Sequence, residues 1–138
     1  YYNLKMRREV VLCFIKKKEE YLFLKRSGKV EFFQHLWSPV GGRLENNEEP
    51  LDRAITELKE ELGLDKKNIK IITKISVFEQ DDKISNIYWI RHAFLAEVLD
   101  DFIVKIDWEH ESYLWCTTLD ALRLEMPPQT KEIFKKII

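Results

Sequence analysis

Little in these 138 residues commits the chain to nucleic acid, to a membrane or to an oxidising compartment. Neither charge is in excess: 23 basic against 24 acidic residues, a formal charge of -1 and a pI near 6.4 leave no broad footprint for extended nucleic acid or an anionic membrane. No apolar run approaches the ~20 residues that span a bilayer, and the opening "YYNLKMRREV" lacks the apolar core of a signal peptide. The two cysteines, Cys13 and Cys116, lie in apolar, strand-like runs without CxxC spacing, which predicts two buried, reduced thiols and a cytoplasmic protein. Repeats, low-complexity tracts and linkers are missing too, so one domain over 1–138 is expected.

What is present is a succession of β-rich runs interrupted by helical periodicity. "EVVLCFI" (9–15) and "EYLFLKRS" (20–27) flank the polar "KKKE" and predict an antiparallel hairpin. "SGKVEFFQHLWSPVGG" reads as a loop with a short strand around Trp37. From Pro50 the period changes: Leu51, Ala54, Ile55, Leu58 and Leu62 recur at helical spacing, Pro50 suits the first helical position, and Gly63 ends the element. Strands are predicted over 69–79, 86–99 and 113–116, followed by a short helix capped by Thr117 or Thr118 and a last helix from "PPQTKEIFKKII". The sum is an α/β fold, a mixed sheet covered by helices on both faces.

The end of the first helix poses an electrostatic problem. Glu57 meets Glu60 at i,i+3 and Glu61 at i,i+4, and each like-charge pair costs roughly 0.2–0.5 kcal/mol. Glu60 and Glu61 also sit in the last turn, where the helix dipole disfavours anions by about 0.3–1 kcal/mol each. The apolar stripe turns all three carboxylates away from the core to one side, so a hard divalent cation with oxygen ligands would remove the repulsion; a solvated acidic face is the plainer alternative.

The spacing separates the two. Gly42, five residues, Glu48, seven residues, then Thr56-Glu57-Leu58-x-Glu60-Glu61-x-Gly63-Leu64 resembles the Nudix box, Gly-x5-Glu-x7-Arg-Glu-U-x-Glu-Glu-x-Gly-U with U aliphatic. Every fixed position matches except Thr56, which replaces the arginine that orients the neighbouring acid in the family. From background residue frequencies, chance agreement at the remaining positions is roughly one in a million for this length. Arg53 lies four residues before Glu57 on the same helix face and is the expected substitute. Val40 and Asn47 are smaller departures, and asparagine tolerates a left-handed turn.

The resemblance implies a Nudix, MutT-like α/β/α sandwich that hydrolyses a nucleoside diphosphate linked to another group, using Mg²⁺ or Mn²⁺. On this sequence it makes Glu57, Glu60 and Arg53 the catalytic set. Gly42 (through its carbonyl), Glu57, Glu60, Glu61 and Glu109 become the metal ligands, with Glu111 and Glu97 behind Glu109, and Glu48 anchors the loop to the helix. Arg26 is the expected phosphate contact; Phe32, Phe33, Phe78 and Trp89 are the aromatics available to a base, of which Phe33 and Phe78 are chosen. His110 stays ambiguous. "FEQDDK" lacks the proline or tyrosine beyond the box that accompanies ADP-ribose and dinucleoside polyphosphate substrates, while "EHESYLW" with "PPQTKEIF" is similar to members that act on nucleoside triphosphates. The expected function is therefore pyrophosphate-bond cleavage in a (d)NTP-like small molecule. The alternative is a catalytically weak nucleotide-binding module, for which Thr56 is the hint; a Nudix-fold isomerase is disfavoured by the placement of Cys13 and Cys116.

Overall fold

The computed structural model describes residues 5–138. Seven strands form one mixed sheet with β1 (Met6–Lys17) as its hub. One edge of β1 runs parallel to β6 (Ile87–Val98) from Met6↔Ile87 to Lys16↔Glu97. Its other edge pairs antiparallel first with β4 (Val40–Arg43), then with β2 (Glu20–Arg26). β5 (Ile69–Asp82) lies outside β6, while β3 (Trp37–Ser38) and β7 (His110–Cys116) both pair with β2.

Alternation along the central strands explains the two layers that cover this sheet. Val11, Cys13 and Ile15 of β1, with Phe94, Ala96 and Val98 of β6, point to one face and bury Ala54, Leu58 and Leu62 of α1 (Pro50–Leu62). Phe14, Phe23 and Ala93 point to the other and bury Ala121 of α2 (Thr118–Leu122) and Ile133 and Phe134 of α3 (Pro128–Ile137). The result is an α/β/α sandwich with mixed strand directions. Both cysteines are free and buried, and no helix among the described residues is long and apolar enough to cross a membrane.

α1 occupies the residues its periodicity predicts. Pro50 stands in its first turn, and Gly63 adopts a left-handed conformation (φ 68°) in which its N–H donates to the Lys59 carbonyl and that of Leu64 to the Leu58 carbonyl. Three features depart from the sequence reading. The run expected to be a loop around one short strand holds two strands, because Val40–Arg43 can pair with the middle of β1 even though half of that segment is glycine. β7 begins at His110 rather than Tyr113, its polar start paired with the end of β2 across a bulge at Lys25 and Arg26. A 3₁₀ turn at Lys66–Asn68, closed by reciprocal Asp65 and Asn68 hydrogen bonds, links α1 to β5.

Candidate active site

One arginine organises the acids of α1. Arg53 Nε and Nη2 donate to the two oxygens of Glu48 at 2.8 and 2.9 Å, and Nη1 donates to Glu57 Oε1 at 3.1 Å. Glu48 also accepts the Glu45 N–H, which ties the loop before the helix to its first turns. In that loop Asn47 is left-handed (φ 61°). The fork geometry is the one in which guanidinium binds carboxylate most strongly. Thr56 contributes no side-chain hydrogen bond to the cluster among the described residues.

Glu57 is pressed against the backbone of β4. A Cβ placed on Gly42 would come within 2.3 Å of Glu57 Cδ, so the close approach requires glycine there. Glu57 and Glu61 are buried, the latter to 2 % exposure, whereas Glu60 is exposed. Burial pushes the Glu61 carboxyl well above the ordinary range; a hydrogen bond with Glu57 and the charges of Glu57, Glu109 and Asp107 push the same way. Among the described residues its Oε2 has no hydrogen-bond partner. His110 Nε2 lies 3.5 Å from Glu61 Oε1 without hydrogen-bond geometry, and Nδ1 lies 3.3 Å from Asp107.

Glu109 is carried to this cluster by the turn before β7. The Ser27 N–H donates to the Glu109 carbonyl at 2.8 Å and Ser27 Oγ to that of Trp108 at 3.0 Å, fastening the turn to the end of β2. Burial, then Asp107 and Glu57, raise the Glu109 carboxyl, while Arg26 draws it down. Arg26 is desolvated and feels both Glu61 and Glu109; its Nε donates to the Phe32 carbonyl.

Arg26, Glu109 and Gly42 line a cavity of about 510 Å³ on the sheet face covered by α3. Arg8, Lys29, Arg43 and Arg91 line it too, so five cationic side chains share one space. Phe32 and Trp89 stand edge to face inside it, ring centroids 5.8 Å apart. Phe33, left-handed at φ 56°, and Trp108, 61 % exposed, form its rim.

Several expected positions lie elsewhere. Phe78 does not line the cavity: it packs against the core beneath α3, with Lys136 Nζ 5.1 Å from its ring centre. Glu111 points to His35 and Lys25, and Glu97 is paired opposite Lys16 and Ile71 on the sheet. Sequence reasoning missed Arg8, Lys29, Arg43, Arg91 and Trp108. Strand alternation could have put Arg8 and Arg91 on one face with Val10 and Trp89, but only the parallel pairing of β1 with β6 makes them neighbours.

The donor set suits a hard cation in its chemistry: carboxylate oxygens only, mutually repelling, one orphaned in the interior. Among the described residues no three such groups stand in a ready ligand arrangement, Glu57 being engaged by Arg53 instead.

The NUDIX domain model matches residues 6–137, and the chain belongs to the Nudix family. It is 30% identical over 122 residues to the asymmetrical bis(5′-nucleosyl)-tetraphosphatase of Sus scrofa, covering 85% of this chain and 77% of that one. The MutT protein of Methanosarcina mazei Go1 superposes with a TM-score of 0.79 at 22% identity, over 98% of this chain and 95% of that chain. A Caenorhabditis elegans Ap4A hydrolase binary complex gives 0.72 at 21%, over 96% and 94%. These two structures show the shared fold. The chain is a Nudix hydrolase acting on phosphorus anhydrides.

Proposed function

We propose that this hydrolase cleaves the phosphate chain of a nucleotide carrying three or more phosphates, with a dinucleoside polyphosphate as first substrate. The observation that carries this reading is the single cavity joining five cations to Gly42 and Glu109, more positive charge than one diphosphate neutralises. The Sus scrofa tetraphosphatase supports the dinucleoside form. A nucleoside triphosphate is the second reading, supported by the "EHESYLW" and "PPQTKEIF" segments.

In this reading Glu57, Glu60, Glu61, Glu109 and the Gly42 carbonyl hold Mg²⁺ or Mn²⁺. The ion supplies neutralisation of phosphate charge and a more acidic water. Arg53 holds the Glu57 carboxylate by the hydrogen bond seen between them. Glu57 accepts the proton of the attacking water as its oxygen bonds phosphorus and the anhydride bond breaks. Arg26 and Lys29 meet the phosphates, and Phe33 at the rim offers a face to a base.

The test is product analysis on diadenosine tetraphosphate and on nucleoside triphosphates, with Mg²⁺ and then Mn²⁺, beside Glu60→Gln. Turnover that disappears in that variant supports the reading. Metal-dependent nucleotide binding without turnover would instead make the chain a binding module.

A further inference from the structure

Two arginines of the cavity have no counter-ion commensurate with their burial. Arg91 is 7 % exposed, yet among the described residues no carboxylate lies within 4 Å of it; its Nη1 donates to the neutral Gln80 Oε1 at 2.8 Å, and its guanidinium stands 4.9 Å from the Trp89 ring centre. Burial draws it down to about 10, and only the more distant Asp82 opposes that. Arg8, on the neighbouring strand, stands 5.2 Å from the Phe32 ring centre with Nε buried and unpartnered. Its nearest carboxylate, Glu31, is 3.8 Å away on a largely exposed side chain. A buried charge without a partner is expensive, and an anion arriving from outside is what removes the cost.

The aromatic rings fix these guanidiniums in place. Phe32 and Trp89 each carry one on a face and meet each other edge to face, so they hold the cations while their own faces are partly taken. The pair is displaced from the carboxylates along β1 and across it. Gly42, against which Glu57 rests, pairs with Val11; Arg8 lies three residues further along β1, about 10 Å of strand, and Arg91, level with Val10, stands on the far side of β1 from β4.

We infer that Arg8 and Arg91 form a second anion subsite, which takes a phosphate group of the substrate other than those held at the α1 carboxylates. The inference rests on the nucleotide-hydrolase reading and adds a specificity determinant to it. A neutral base edge would satisfy N–H donors but leave the Arg91 charge uncompensated and that of Arg8 matched only by the exposed Glu31. The phosphate has two possible sources, a ribose-linked phosphate or a remote phosphate of a long polyphosphate chain.

The experiment compares matched substrates differing in one of these features, coenzyme A against its dephospho form and dinucleoside pentaphosphate against triphosphate, in the wild type, Arg8→Gln and Arg91→Met. The wild type is expected to prefer the phosphate-rich member of one pair by at least tenfold in kcat/KM, mainly through KM. Both variants are expected to erase that preference, and the pair affected identifies the source. In parallel, inorganic tripolyphosphate in EDTA should raise the wild-type Tm and raise that of each variant less. Without ligand, Arg91→Met should melt no lower than the wild type, because it relieves a buried charge while keeping most of the side-chain volume. Unchanged selectivity in both variants, or equal tripolyphosphate protection in all three proteins, overturns the subsite. If no substrate is turned over, the proposed substrate class falls, while the tripolyphosphate comparison still decides whether the anion subsite exists.

Discussion

At the scale of single residues, Arg53 holds Glu48 and Glu57 with one guanidinium, the contact expected of it as a substitute for an arginine at Thr56. Arg53→Ala should lower kcat by roughly 10- to 100-fold, since small displacements of a catalytic group cost that much. The cost in Tm should be only a few degrees, measured by steady-state kinetics beside thermal melting; unchanged kcat would remove Arg53 from the mechanism. Gly42→Ala tests the other wall of Glu57. The added methyl cannot coexist with Glu57 as placed, so activity should fall by two orders of magnitude or more while the circular dichroism spectrum stays that of the folded protein. Both residues could be found by reading: Gly42 as a box position and Arg53 by its four-residue offset from Glu57. Arg91 could not, because an arginine amid β-rich residues gives no sign that the next strand will bring another arginine, rather than a carboxylate, into the same cavity.

At the scale of elements, α1 positions Glu57, Glu60 and Glu61, and its ends and core face set its stability. Leu58 is completely buried beneath it, and Leu58→Ala should cost about 2–5 kcal/mol in chemical denaturation. Gly63→Ala forces a side chain into the left-handed region and should cost about 1 kcal/mol, visible as a Tm about 3 °C lower. A Tm equal to that of the wild type would mean the helix end has another stable conformation. This element was fully legible, from proline to glycine, because a helix is specified by contacts three and four residues apart. β4 was not legible. Val40–Arg43 has two glycines and little β propensity, and it is a strand only because β1 offers an unpaired edge.

At the scale of the molecule, the site forms where parts distant in sequence meet: α1, the β4 backbone, the end of β2 and the turn before β7. Their charges are coupled, which predicts a pH effect in metal-free protein. Glu61 binds its proton more tightly folded than unfolded, so the stability it contributes is fully present below the ordinary carboxylate range. That contribution is lost as pH rises from there through the raised value. His110, held below its ordinary value by burial, has the opposite sign and loses stability as pH falls. In EDTA, therefore, the difference in Tm between Glu61→Gln and the wild type should move in favour of the variant as pH rises from about 5 to 8. A flat difference would show that Glu61 does not titrate abnormally. By itself the sequence determined the α/β/α class, the α1 boundaries and the four box carboxylates, because these are written in local periodicity and fixed spacing. Only the tertiary structure decided that Arg53 bridges Glu48 and Glu57, that Phe78 belongs to the core and that Arg8 and Arg91 share the cavity, because side-chain rotamers, strand register and burial depend on contacts between residues far apart in the chain.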